Sequence, residues 1–166
     1  MKILLKGDNV KKYLKIILTI IFIILSKICI FIVDNGTINN VSLAKTTSTS
    51  DIQLMARAIN GEARGEPYEG QVAVGAVILN RVKDSRFPNS ISGVIYQPGA
   101  FTAVSDGQIN AAISEGSTVY KAAQDAMNGW DPTGGCVYYF NPSTATNKWI
   151  WSRPLIKTIG KHRFCK

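Results

Sequence analysis

Two carboxylates and a guanidinium share one short stretch, Ala58-Ile59-Asn60-Gly61-Glu62-Ala63-Arg64-Gly65-Glu66. Breaking an acetal, such as a glycosidic bond, needs a carboxyl that gives up a proton and takes one back. Glu62 is the candidate for that role. Gly61 places no side chain beside it, so a ligand or a second backbone can come close. Partial shielding from water lets a carboxyl keep its proton to higher pH, which suits a general acid near neutrality. The competing reading of the same spacing is a solvated helix end laced by salt bridges, with Arg64 paired to Glu66 or Glu69.

Two helices must hold this stretch. Ile52, Leu54, Met55, Ala58 and Ile59 fall on one helical face ahead of it. Pro67 can open a second helix as its first residue, running to about Val82 with Val72, Ala76, Leu79 and Val82 as the buried stripe. Glu62 is therefore expected at the seam, over a cleft. Ser50 and Asp51 can cap the first helix. Further on, Phe87-Pro88 and Pro98-Gly99 bracket a loop region with a short helix over residues 91–96. Residues 101–104 read as a brief extended piece. The spacing of Val119, Ala122, Ala123 and Ala126 predicts a helix over 118–127, and residues 130–135 a turn.

The last part changes character. Residues 136–140, 149–151 and 156–159 are rich in aromatic and β-branched types and read as strands, with His162-Arg163-Phe164 pairing near the end. Helices first and strands last make the class α+β: a helical N-terminal half with a small antiparallel sheet from the C-terminal half.

Charge and compartment narrow the chemistry. The net charge of +8 is uneven. Residues 1–45 hold seven bases and two acids, 51–115 five bases and seven acids, and 116–166 seven bases and two acids. A basic face suits a polyanion: nucleic acid, an anionic membrane or an acidic wall polymer. Residues 1–44 carry a Lys-rich start, an apolar run from Ile16 to Val33 broken by Ser26 and Lys27, and a small-residue exit at Ser42-Leu43-Ala44. This pattern is an export signal, either cleaved or retained as a membrane anchor. Residues 45–50 are a Thr/Ser linker, and the folded domain is expected over 51–166. Cys136 and Cys165 are the one pair available to that domain, as a disulfide or as two buried thiols.

Several reaction classes lack their residues. His162 is the only histidine, whereas catalytic zinc takes about three protein ligands, usually His-rich. No G-x-S-x-G elbow and no glycine-rich phosphate loop occur. A Cys–His pair would have to use Cys136 or Cys165, and Cys136 sits in an apolar strand with nothing to lower its pKa. His162 reads as structural or as a substrate contact. No metal and no cofactor are expected. Carboxylate chemistry on a sugar remains, with Tyr138, Tyr139, Trp149 and Trp151 as flat faces for sugar rings, or as core, since strand alternation turns half of such residues inward.

Longer motifs sharpen this. Residues 59–67 (Ile-Asn-Gly-Glu-Ala-Arg-Gly-Glu-Pro) and 70–82 (Gly-Gln-Val-Ala-Val-Gly-Ala-Val-Ile-Leu-Asn-Arg-Val) resemble the SleB/CwlJ family of spore cortex-lytic cell wall hydrolases. Tyr139-Phe140-Asn141-Pro142, residues 149–154 and residues 159–164 fit the same family in the same order. The resemblance implies a lysozyme-like catalytic domain acting on spore cortex peptidoglycan during germination. It implies lytic transglycosylase chemistry on the bond from N-acetylmuramic acid to N-acetylglucosamine, with Glu62 as the catalytic glutamate. In that reaction the muramoyl 6-hydroxyl is the nucleophile, so one carboxyl serves as acid and then base.

Gln97, Phe101, Tyr139 and Trp151 are then expected to line the cleft. Arg64 either positions peptide or lactyl carboxylates or forms the ion pair noted above; Glu66 is expected to be structural. The family's longer type has a separate peptidoglycan-binding domain, so tethering here is expected from the catalytic domain, a membrane anchor or an accessory spore protein. The expected partner is peptidoglycan rather than nucleic acid, met outside the membrane at the spore cortex, inner spore membrane or cell wall. The rival readings are an N-acetylmuramoyl-L-alanine amidase and a non-catalytic wall-binding module.

Overall fold

The computed structural model describes residues 15, 17–21 and 50–166. The chain divides into two units, Met1–Thr46 and Thr47–Lys166. In the first, residue 15 and residues 17–21 are helical. The proposed exit site, most of the apolar run and residues 45–49 of the linker lie outside the described residues. No described helix is long and apolar enough to cross a membrane.

In the second unit, residues 50–63 are helical, the described part of α1. Ser50 is already helical, so it does not cap the helix as expected. Met55, Ala56, Ala58, Ile59 and Ala63 are buried along its inner face. A short turn leads to α2, Tyr68–Lys83, with Pro67 as its N-cap. The expected stripe is too narrow a description of α2. Every residue from Gly70 to Ile78 is buried, and so is Arg81, while Leu79 and Val82 are only partly so. The reason is position: α1, the later helices Ile91–Ile95 and Thr118–Met127, and the sheet all pack around this one helix. At Gly75 a Cβ would lie 2.9 Å from the Ala126 Cβ and 3.2 Å from Ile59 Cδ1, so glycine lets three helices meet there.

Short elements follow. α3, Ile91–Ile95, starts where the Ser90 hydroxyl accepts from the Gly93 N–H. α4, Thr102–Ser105, replaces the extended piece expected at 101–104. Phe101 keeps extended backbone and anchors the turn by its buried ring, and the chain coils immediately after it. A 3-10 turn, Gln108–Asn110, leads on to α5, Thr118–Met127, capped by Ser117. Val119, Ala122, Ala123 and Ala126 are all buried on α5, as their spacing predicts.

Three strands close the unit: β1 Tyr138–Phe140, β2 Leu155–Ile159 and β3 His162–Cys165, antiparallel in the order β1-β3-β2. Tyr139 lies opposite Phe164, and Thr158 opposite Arg163. The first strand is shorter than the expected 136–140. Residues 149–151 are not a strand but part of a helical turn, α6, Lys148–Trp151. The Asn147 side chain accepts from the Trp149 N–H at 2.9 Å and starts that turn, overriding the β preference of Trp and Ile.

Helices therefore build one core, from Met55 and Ile59 through Val72, Ile78, Val94 and Ala122. A second, smaller core of Ala73, Val77, Cys136, Ile159 and Phe164 fastens α2 to the sheet. Cys136 and Cys165 are buried free thiols. The fold is the mixed, lysozyme-like arrangement expected, with the helical half carrying the three-stranded sheet on one side of α2.

Candidate active site

Glu62 sits in the last turn of α1, half-buried, and each of its oxygens has a donor. The Ala103 N–H on α4 donates to Oε1 at 2.8 Å. The Tyr139 hydroxyl on β1 donates to Oε2 at 3.0 Å. Gly61 makes the first of these possible, because a Cβ there would collide with the Ala103 side chain. One helix end, one short turn and one strand thus converge on a single carboxyl. Burial first, and the Glu62 carboxylate second, push the Tyr139 phenol well above its usual range. Tyr139 is therefore a neutral donor at any working pH.

The carboxyl opens on a cavity of about 430 Å³. Arg81, Thr102, Asp106, Tyr139 and His162 line it with Glu62. Arg81 is only 7% exposed. Its Nε donates to the Val137 carbonyl at 2.7 Å, and its guanidinium carbon lies 5.3 Å from the ring centres of both Phe87 and Phe101. Burial lowers the Arg81 pKa, and Tyr139, Tyr138 and Glu62 oppose that shift. It remains a cation.

His162, also 7% exposed, stands 5.2 Å from the Tyr139 ring. Burial pushes its pKa down against the pull of Glu66 and Glu62. Its Nδ1 is sealed and has no hydrogen-bond partner among the described residues. A proton there would be a donor without an acceptor, so the neutral ring carries its proton on Nε2. Asp106 brings a second acid to the cavity. Its carboxylate accepts from the Gln108 N–H at 3.0 Å and from Gln108 Nε2 at 2.6 Å, and these bonds lower its pKa.

A second cavity, of about 310 Å³, shares Arg81, Ala100 and Tyr139 with the first. Gln97, Tyr138 and Trp149 line it. The two cavities therefore adjoin, with these three residues as their common wall.

The residues singled out from sequence fare differently. Glu62 and Tyr139 meet at the first cavity, and Gln97 lines the second. Phe101 does not line either cavity; it is buried beneath the Arg81 guanidinium, where its ring supports the cation. Trp151 is also outside both linings. It is 46% exposed and packs edge-on against Phe140, a wall of the first cavity, at 4.9 Å.

Arg64 is exposed and bonds the Gln108 side chain and the Asn60 carbonyl. It pairs with neither Glu66 nor Glu69, because both are engaged elsewhere. Glu66 accepts from the Lys161 N–H at 2.8 Å, holding the β2–β3 turn, and Glu69 pairs with Lys157 at 3.0 Å. Sequence reasoning passed over Arg81 and Asp106. A signal for Arg81 existed: a cation four residues after Val77 on an otherwise apolar helix face.

Comparison with known proteins agrees with this architecture. Residues 65–165 match the family model described as Cell Wall Hydrolase, a span beginning just after Glu62. The chain is similar to the spore cortex-lytic enzyme of Bacillus cereus, 67% identical over 119 residues, which cover 72% of this chain and 45% of that protein. It thus spans less than half of that relative's length. It is similar also to the cell wall hydrolase CwlJ of Bacillus subtilis, 30% identical over 124 residues, which cover 70% of this chain and 85% of that one. Among solved structures, the catalytic domain of the Bacillus cereus SleB protein superposes with a TM-score of 0.67 at 67% identity, covering 71% of this chain and 91% of that one.

Proposed function

Because this chain belongs to the cell wall hydrolase family, we propose that it degrades spore cortex peptidoglycan during germination, as a lytic transglycosylase with Glu62 as its acid and base. The observation that carries this reading is the Glu62 carboxyl at the wall of an open cavity, with both oxygens held by donors from other elements. Protonated Glu62 gives its proton to the glycosidic oxygen as the bond from the muramoyl anomeric carbon breaks. The muramoyl 6-hydroxyl closes onto that carbon and passes its proton to Glu62. The products are a 1,6-anhydromuramoyl end and a free 4-hydroxyl on N-acetylglucosamine, with no water consumed.

After the first transfer Glu62 is a carboxylate. The Ala103 N–H, the Tyr139 hydroxyl and the Arg81 cation are already in place around it, so the charge appears where donors stand ready. Substrate reaches the enzyme outside the membrane, and the Lys-rich, apolar residues 1–44 supply export or anchoring. An accessory spore protein is a further partner under this proposal.

The test is the product spectrum. Purified sacculi digested by the full chain should release fragments with anhydromuramoyl ends by mass spectrometry, and Glu62→Gln should bind sacculi but release none. Cleavage by Glu62→Gln at the wild-type rate would remove the acid–base assignment. One observation supports a second reading: Asp106 borders the same cavity. A second carboxylate can direct a water onto the anomeric carbon, and reducing muramic ends would then be the product. Free stem peptides would instead mark an amidase.

A further inference from the structure

A buried cation without an acidic partner is costly, and Arg81 is such a cation. Its Nε is satisfied by Val137, but neither terminal nitrogen has a hydrogen-bond partner among the described residues. Neither is sealed, for the buried unpartnered atoms do not include them. Both cavities count Arg81 among their walls. The rings of Phe87, Phe101 and Tyr138 surround the guanidinium and hold its plane. The acid whose charge acts on it is Glu62, from α1, which is already bonded to Ala103 and Tyr139; Asp106, on the same cavity wall, is bonded to Gln108. What remains is a forked, charged donor that borders both cavities and is backed by aromatic faces. Such a group suits a planar pair of oxygens.

We propose that the junction of the two cavities is an acyl-oxygen subsite, where Arg81 recognises the lactyl group of a muramoyl residue. The group is a carboxylate when free and an amide carbonyl when it bears a peptide. This rests on the peptidoglycan reading above and deepens it. A muramoyl residue differs from N-acetylglucosamine by that lactyl ether alone, so a reader of it sets which sugar lies beside Glu62. Placed one sugar out of register, the glycan would present the wrong bond to the acid. Arg81 is thus a specificity residue, distinct from Glu62 in what it touches.

The experiment compares three disaccharides on the full chain carrying Glu62→Gln, followed by NMR titration. The probes are N-acetylglucosaminyl–N-acetylmuramic acid, its lactyl methyl ester, and chitobiose. The free acid should bind about tenfold tighter than chitobiose, as a charge-assisted hydrogen bond predicts, and the ester, which keeps the acyl oxygen without the charge, should fall between them. Adding Arg81→Gln should bring all three to the affinity of chitobiose. Equal binding of the acid, the ester and chitobiose would overturn the subsite and leave the peptidoglycan reading standing. Binding of none of them would overturn both. The first comparison uses no arginine variant, so it holds even if Arg81→Gln does not fold.

Discussion

The Tyr139 hydroxyl donates to one oxygen of Glu62 and the Ala103 N–H to the other, and the two donors are not equivalent. A backbone N–H can only donate, so Oε1 must remain an acceptor. A phenol can donate or accept, so Oε2 is where a proton can reside without losing its partner. Under the proposed chemistry the pair defines which oxygen acts as the acid.

Tyr139→Phe should therefore lower kcat about tenfold or more, the scale of one hydrogen bond to a developing charge, with KM little changed. Initial rates of fragment release from sacculi measure it. A variant that raises KM alone would make Tyr139 a substrate contact and remove its role on Glu62.

Asp106 distinguishes the two glycosidic mechanisms. Under the transglycosylase proposal, Asp106→Asn retains anhydromuramoyl products at a rate within a few fold of wild type. Under hydrolysis the same change removes the base and stops turnover. Mass spectrometry of the digest reads both outcomes.

Gly61→Ala tests the approach of α1 to α4. The added methyl meets the Ala103 side chain, and relief requires the two elements to part. Stability should fall by about 1–3 kcal/mol in urea unfolding, the usual cost of overpacking. Activity should fall further than the lost stability explains, because the Ala103 N–H moves off Oε1. Unchanged activity in a destabilised protein would show that this hydrogen bond is dispensable.

Acid should weaken the fold through His162. Its pKa in the folded chain is pushed below the ordinary 6.5 by burial, so the unfolded chain binds the proton more readily. Stability is full above pH 6.5 and declines as pH falls from there toward the folded value. Asp84, whose folded pKa is lowered to about 2 by Arg86, contributes only at more acidic pH. Thermal melts from pH 7.5 down to about pH 5 should show the decline, and His162→Phe should flatten it. A slope identical in the variant would assign the decline to other groups.

Much of this molecule was legible before its shape was known, for identifiable reasons. α5 was readable because four small or branched residues repeat at helical spacing behind a serine cap. Glu62 was readable from the glycine before it and the helical patterns on either side. Three things were hidden. The tryptophans of α6 argue for a strand, and only the Asn147 cap turns them into a helix. α4 is one turn long, too short to show a period, yet it carries the amide that meets Glu62. Arg81 was absorbed into an apolar helix because its role arises from rings on three other segments, which no local pattern displays.

Beside the two cavities stand the half-exposed indoles of Trp149 and Trp151, with Arg153 4.6 Å above the first and Arg163 5.5 Å above the second. The remaining tryptophan, Trp130, packs near Tyr68 instead. This flank of the two cavities therefore carries its own fluorophores, each beside a cation. A glycan settling there would dry those rings and displace the cations, shifting the spectrum to the blue, so occupancy can be followed optically on unlabelled protein.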